Sequence, residues 1–220
     1  MTGRLFAPAI GLAAMLVIAG CSNTLPLHYV ATERALLSPA TLSVVQVVDK
    51  RGEPDPTWYG AIRGGYGNPL KTLHSDKPID QTVQDALVVA LAARGIRLDR
   101  NASAPSLMVT VAAFEADRVI RSEVAIRLDV VVKSPSGDTI YSHETSEDRV
   151  KFGGLGEGIF ADPKDLQAFT QSTMDRAINE AIDAPGFLAA ITAHQRSSGS
   201  YGDDGLPTTH SDAGDLHPLR

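Results

Sequence analysis

Scarcity is the first feature of this chain. Its 220 residues include one cysteine, so no internal disulfide and no cysteine-cluster metal site can form within it. Aromatic residues make up 5%, too few for a base-stacking platform. The 20 Lys plus Arg are outnumbered by 26 acids, for a net charge of -6, which supplies no basic stripe for nucleic acid. The length admits one ordinary domain plus tails, and a mean hydropathy of -0.04 with 21% charged residues fits a globular body.

The usual catalytic and cofactor motifs are missing as well. There is no Gly-x-Ser-x-Gly elbow, and His28, His74, His143, His194, His210 and His217 fall at no metal-ligand spacing such as His-Glu-x-x-His. The run Gly153-Gly154-Leu155-Gly156-Glu157-Gly158 follows a strand pattern and precedes a helix, yet it fails as a phosphate loop. A dinucleotide fingerprint needs glycine three positions after Gly156, where Ile159 stands, and Glu157 would repel phosphate. Carboxylate pairs such as Glu144 with Glu147 have nothing in their spacing to set them apart from solvated surface acids. The sequence therefore predicts no enzyme, no cofactor and no metal.

What is present begins at the amino terminus. Arg4 and the free amine precede an uncharged stretch, Phe6 to Ala19, of about fourteen residues, short of the roughly twenty that cross a bilayer as a helix. Residues 1–20 are thus expected to be a removed secretory leader. Ile18-Ala19-Gly20-Cys21 follows, and it resembles the bacterial lipobox: an aliphatic residue, two small residues and a cysteine that becomes lipidated and is the first residue of the mature chain. The only cysteine of the protein falls at that position. Several acyl chains on Cys21 would hold the protein on a membrane essentially permanently, since each buried methylene contributes about 0.8 kcal/mol. Ser22, in place of an aspartate, favours the outer membrane by the sorting rule that such lipoproteins follow. The expected membrane partner is lipid, reached through Cys21.

Residues 21–40, with Pro26 and Pro39 and no sustained period, are expected to be a flexible tether. A single periplasmic domain is expected over 41–192. Leu42 to Asp49 is rich in β-branched residues and predicts a central strand. Trp58 to Arg63 and Asn68 to Leu73 predict a hairpin across Gly64-Gly65-Tyr66-Gly67. Apolar residues at three- and four-residue spacing predict a helix from Ile79 to Arg94, opened by Pro78 and closed by Gly95. After a β segment at Leu107 to Asp117, the strict alternation of Val124, Ile126, Leu128, Val130 and Val132 predicts a strand buried on one face. Asp138 to Phe152 is its expected partner. Asp162-Pro163 opens a second helix that Pro185-Gly186 stops, and residues 193–220, rich in Ser, Gly and Asp, are expected to be a disordered tail. Together these predict an α+β two-layer sandwich: a mostly antiparallel sheet with two helices packed on one face.

Two features suit partner contact. Arg121, Glu123, Arg127 and Asp129 share the polar side of the alternating strand, where an uncovered face or edge could receive a partner strand. Trp58 and Tyr59, with Tyr66 nearby, form the one aromatic group, which would serve either as a lid on the core or as a contact patch.

The pattern as a whole resembles the YajG-type lipoprotein family. The likeness rests on Cys21 in its lipobox, on Asp49-Lys50-Arg51 after the strand Val44 to Val48, on Ala92-Ala93-Arg94-Gly95-Ile96 at the helix end, and on the order of the later strands and helix. The tail and Pro54-Asp55-Pro56 depart from it. The resemblance implies a membrane-anchored, periplasm-facing lipoprotein without established catalysis. The leading expectation is a non-enzymatic lipoprotein on the periplasmic face of the outer membrane that binds an envelope protein or serves structurally. The alternatives are an accessory subunit of a lipid or envelope transport complex, and a cell-wall hydrolase.

Overall fold

The structure, a computed structural model, describes residues 21–31, 40–100, 103–152 and 162–199. The expected leader (1–20), the glycine-rich segment 153–158, part of the expected tether (32–39) and the tail beyond 199 lie outside the described residues.

In chain order the amino-terminal half contains β1 (Cys21–Thr24), β2 (Ala40–Leu42), β3 (Val45–Asp49), β4 (Trp58–Arg63), β5 (Pro69–His74), α1 (Ile79–Ala93) and β6 (Ile96–Leu98). Then follow β7 (Ser106–Arg118), β8 (Arg121–Lys133), β9 (Thr139–Phe152), α2 (Pro163–Asp183) and α3 (Pro185–Gly199). The main sheet runs β1-β5-β4-β7-β8-β9, with β3 also paired to β7, while β2 and β6 form a separate ribbon.

The alternation of β8 organises the sheet. Val124, Ile126, Leu128, Val130 and Val132 are buried, and across β7 they face Ala116, Phe114, Val111, Val109 and Leu107, which are buried too. These residues join one core cluster with the apolar stripes of α1 and α2 and with Phe187 and Ile191 of α3. The helix boundaries follow from local chemistry. The Asp162 side chain accepts a bond from the Lys164 N–H at the start of α2, with Pro163 in the first turn. Gly95 ends α1 at a φ of 63° that suits glycine.

The architecture is α+β, and the main sheet is mixed. β7 pairs antiparallel with β8, as do β8 with β9 and β4 with β5, whereas β1–β5, β3–β7 and β4–β7 are parallel. The cause is the length of β7. At 13 residues it offers one edge to two shorter strands in turn, β3 along Leu107–Val111 and β4 along Ala116–Arg118, with an irregularity between Val111 and Ala113 separating them. The chain reaches β7 from β3 by way of α1, and such a crossover connection leaves the two strands parallel.

Two expectations change. The described part of the tether is folded onto the body: β1 pairs with β5, Leu25 N–H donates to the His74 carbonyl at 2.8 Å, and Leu27 is buried. Gln167 Nε2 donates to the Pro26 carbonyl at 2.6 Å, and the Tyr29 hydroxyl to Asn179 Oδ1 at 2.7 Å. Leu25, Leu27 and Tyr29 recur at every second position, and their packing on the core outweighs the linker-like look of the prolines. Among the described residues there are also three helices where two were expected, because Pro185 opens α3, whose first turn needs no donor from it. Residues 193–199, expected in the tail, continue that helix. Among the described residues no helix is long and apolar enough to cross a membrane.

Candidate functional site

The period of two in β8 puts Arg121, Glu123, Arg127 and Asp129 on one side of the strand, opposite the buried valines. Their cross-strand neighbours extend that side over three strands: Asp117 and Val150 beside Glu123, Glu115 and Asp148 beside Ala125, and Thr110 and Glu144 beside Asp129. Acids outnumber bases here. Most of the charge is locally matched: Arg63 Nε lies 2.8 Å from Asp117, Arg121 pairs with Glu123, and Arg127 Nε is 3.4 Å from Glu144. A shallow depression of about 250 Å³ sits among Glu115, Asp117, Glu123 and Asp148, floored by Ala125.

This surface is suited to contact. Its arginines are already engaged with carboxylates, so it is not a preformed anion site. Among the described residues no group of three or more His, Cys, Asp or Glu side chains could hold a metal ion. Beside this face β9 presents a 14-residue strand that, among the described residues, is hydrogen-bonded in the sheet only to β8.

The aromatic group is split. Tyr59 is fully buried, its hydroxyl donating to the Leu25 carbonyl at 3.2 Å, and burial pushes that hydroxyl far above its ordinary pKa. It is a core residue, so the contact-patch expectation fails for it: the large ring fills the core below Leu25. Trp58, half-buried, starts β4, while Tyr66 lies past the other end of that strand and is fully exposed.

Two arginines whose roles the sequence left open turn out to be clamps. Arg51, just after β3, has a side chain only 5% exposed. It bonds Asp49 and also donates to the carbonyls of Trp58 (2.7 Å), Pro56 (3.2 Å) and Phe114 (3.3 Å). Arg94 ties the end of α1 to α2, with Nε 2.6 Å from Asp183, Nη2 2.8 Å from Asn179 and Nη1 on its own helix at the Ala90 carbonyl. Burial alone would lower the Arg94 pKa, but its bonds to Asp183 and Tyr29 raise it. The only signal in the sequence was position, just after a strand and just before the closing glycine of a helix.

The fold has a solved counterpart. The crystal structure of a Xanthomonas campestris protein described under the family DUF330 superposes with a TM-score of 0.56 over 80% of this chain and 99% of that one, at 15% identity. That level of identity speaks for a shared fold alone. A Caulobacter crescentus protein described as a candidate lipoprotein is 20% identical over 51% of this chain and 80% of its own, with a TM-score of 0.35, too slight a likeness to argue from. No family model matches the chain, and no curated protein does.

Proposed function

We propose that this protein is a non-enzymatic lipoprotein, held by acyl chains on Cys21 at the periplasmic face of the outer membrane, whose α+β body binds an envelope protein. The helices of that body cover one face of the sheet and leave the acidic face of β7, β8 and β9 to a partner. The observation that carries the reading is Ile18-Ala19-Gly20-Cys21 at the end of a short apolar leader, with the chain's only cysteine in the lipidated position. The YajG-type resemblance of the sequence supports it.

Replacing Cys21 tests the anchor. Cys21→Ala is expected to abolish labelling by radioactive palmitate and to move the protein from the membrane fraction to the soluble one, with the body still folded. A variant that stays with the membrane refutes the anchor. The β9 edge, open among the described residues, favours a second reading, an accessory subunit of a lipid or envelope transport complex, since an open strand edge accepts a partner strand by main-chain bonds. Crosslinking from β9 in intact cells separates the two, because recovery of transporter components supports the second and their absence counts against it.

A further inference from the structure

The registers of the main sheet bring six strands to one level. Cys21 lies opposite Lys71, Lys71 opposite Ile62, Ile62 opposite Arg118, Arg118 opposite Ser122, and Ser122 opposite Lys151. At about 4.8 Å per strand this row is roughly 24 Å wide. Just beyond it the sheet ends in the turn 64–68 that carries Tyr66, in the β7–β8 turn of Val119 and Ile120, and at the last residue of β9, Phe152.

That end exposes apolar tips beside the charged Arg121 and Lys151. Tyr66 is fully exposed, Ile120 is 84% exposed and Phe152 76%, with Val119 and Val150 exposed beside them. Five of the nine large hydrophobic side chains exposed among the described residues are therefore gathered at one end of the sheet. Val119, Ile120 and Phe152 border a depression of about 330 Å³. Clustered exposure of this kind marks a surface that something covers.

We infer that this end is a membrane-contact surface, with Tyr66, Val119, Ile120 and Phe152 seated in the headgroup–acyl boundary of the leaflet that holds the Cys21 chains. The inference rests on the lipoprotein reading. What singles out lipid as the occupant is the absence of a spacer. Cys21 is the first residue of β1, so the backbone that would carry its acyl chains lies at the level of the row, one or two residues from Val119, Ile120 and Phe152 and four from Tyr66. A leaflet holding those chains cannot stand away from the sheet end. The strands then rise from the membrane, as a body held on a rim of apolar tips, and the edge of β9 stays open along its length. Lys151, exposed in the row, is placed to meet headgroup phosphates.

The test uses the lipidated full chain in vesicles of phosphatidylethanolamine and phosphatidylglycerol that contain nitroxide-bearing phospholipid. Lipidation consumes Cys21, so one introduced cysteine is the only free thiol and takes a fluorophore. Labels at Ile120→Cys and Phe152→Cys are expected to be quenched several-fold more strongly than one at Val44→Cys, an exposed residue beside Leu107 at the opposite end of β7. Equally weak quenching at all three sites, in protein whose mass shows the acyl chains, overturns the inference and leaves the anchor standing. Protein whose mass shows no acyl chains overturns the anchor and the inference built on it.

Discussion

Arg51 grips Asp49 through its guanidinium, Nε to Oδ1 at 3.0 Å and to Oδ2 at 3.1 Å and Nη2 to Oδ2 at 2.8 Å, while the Arg51 backbone N–H donates to the same carboxylate at 3.0 Å. The other side of the guanidinium holds the Trp58 and Phe114 carbonyls, so one side chain fastens the end of β3 to the start of β4 and to β7.

Arg51→Lys should show how much that clamp needs a fork. A lysine keeps the charge but offers one compact ammonium in place of five donors fixed in a plane, and it cannot reach Asp49 and two carbonyls together. The expected loss is roughly 2–4 kcal/mol of unfolding free energy, since buried acceptors are left without partners. Urea unfolding measures it, and a midpoint unchanged from the parent would show that the bonds contribute nothing net.

The same pair sets a pH dependence. Burial alone would raise the Asp49 pKa, but the bonds and the charge of Arg51 outweigh it and hold the carboxyl below its ordinary 3.8. A depressed folded pKa contributes stability that is present above the unfolded value and is lost as pH falls through the folded one. Asp49→Asn, which keeps the shape and removes the charge, should therefore be less stable than the parent near neutral pH. The gap should narrow as the pH falls below about 4. Melting temperatures of the two proteins across that range decide it: a constant gap would place the effect outside Asp49 ionisation.

Much of this architecture was legible because local chemistry dictates it. The caps at Asp162-Pro163 and Arg94-Gly95 set the helix ends, and the alternation of Val124 to Val132 placed Arg121, Glu123, Arg127 and Asp129 on one side of a strand. What escaped was long-range. No local pattern says that β3 and β4 share one edge of β7 in parallel, or that Leu25, Leu27 and Tyr29 fold back between β5 and α2, because those outcomes depend on which edges the rest of the fold leaves open. Tyr59 shows the same limit at the site, since an aromatic beside a turn looks identical whether its neighbours bury it or not.

Gly60 marks a close approach that only the tertiary pairing reveals. It lies opposite Ala116 in the parallel β4–β7 pair, and a methyl group there would come within 2.2 Å of the Ala116 carbonyl oxygen. Both groups are fixed to backbone, so Gly60→Ala must push the two strands apart. The expected cost is roughly 1–3 kcal/mol. Gly65→Ala, in the turn after β4 with nothing within 4 Å, is the control and should change stability little. Equal melting temperatures for the two variants would mean that β4 can shift freely against β7.

Thr145 offers a substitution of the opposite sign. It sits on β9 opposite Leu128, fully buried, and its Oγ1 has no hydrogen-bond partner among the described residues. A hydroxyl removed from water without a replacement bond costs about 1–3 kcal/mol, part of which the threonine must be spending in the native state. Valine has nearly the same shape, favours strands and carries no polar group to desolvate. Thr145→Val should therefore raise the unfolding free energy by about 1 kcal/mol. Thr145→Ser, which keeps the hydroxyl and removes a methyl from the core, should lower it. If Val destabilises as much as Ser does, the hydroxyl has a partner in solution, and the site beneath β9 is wetter than its complete burial implies.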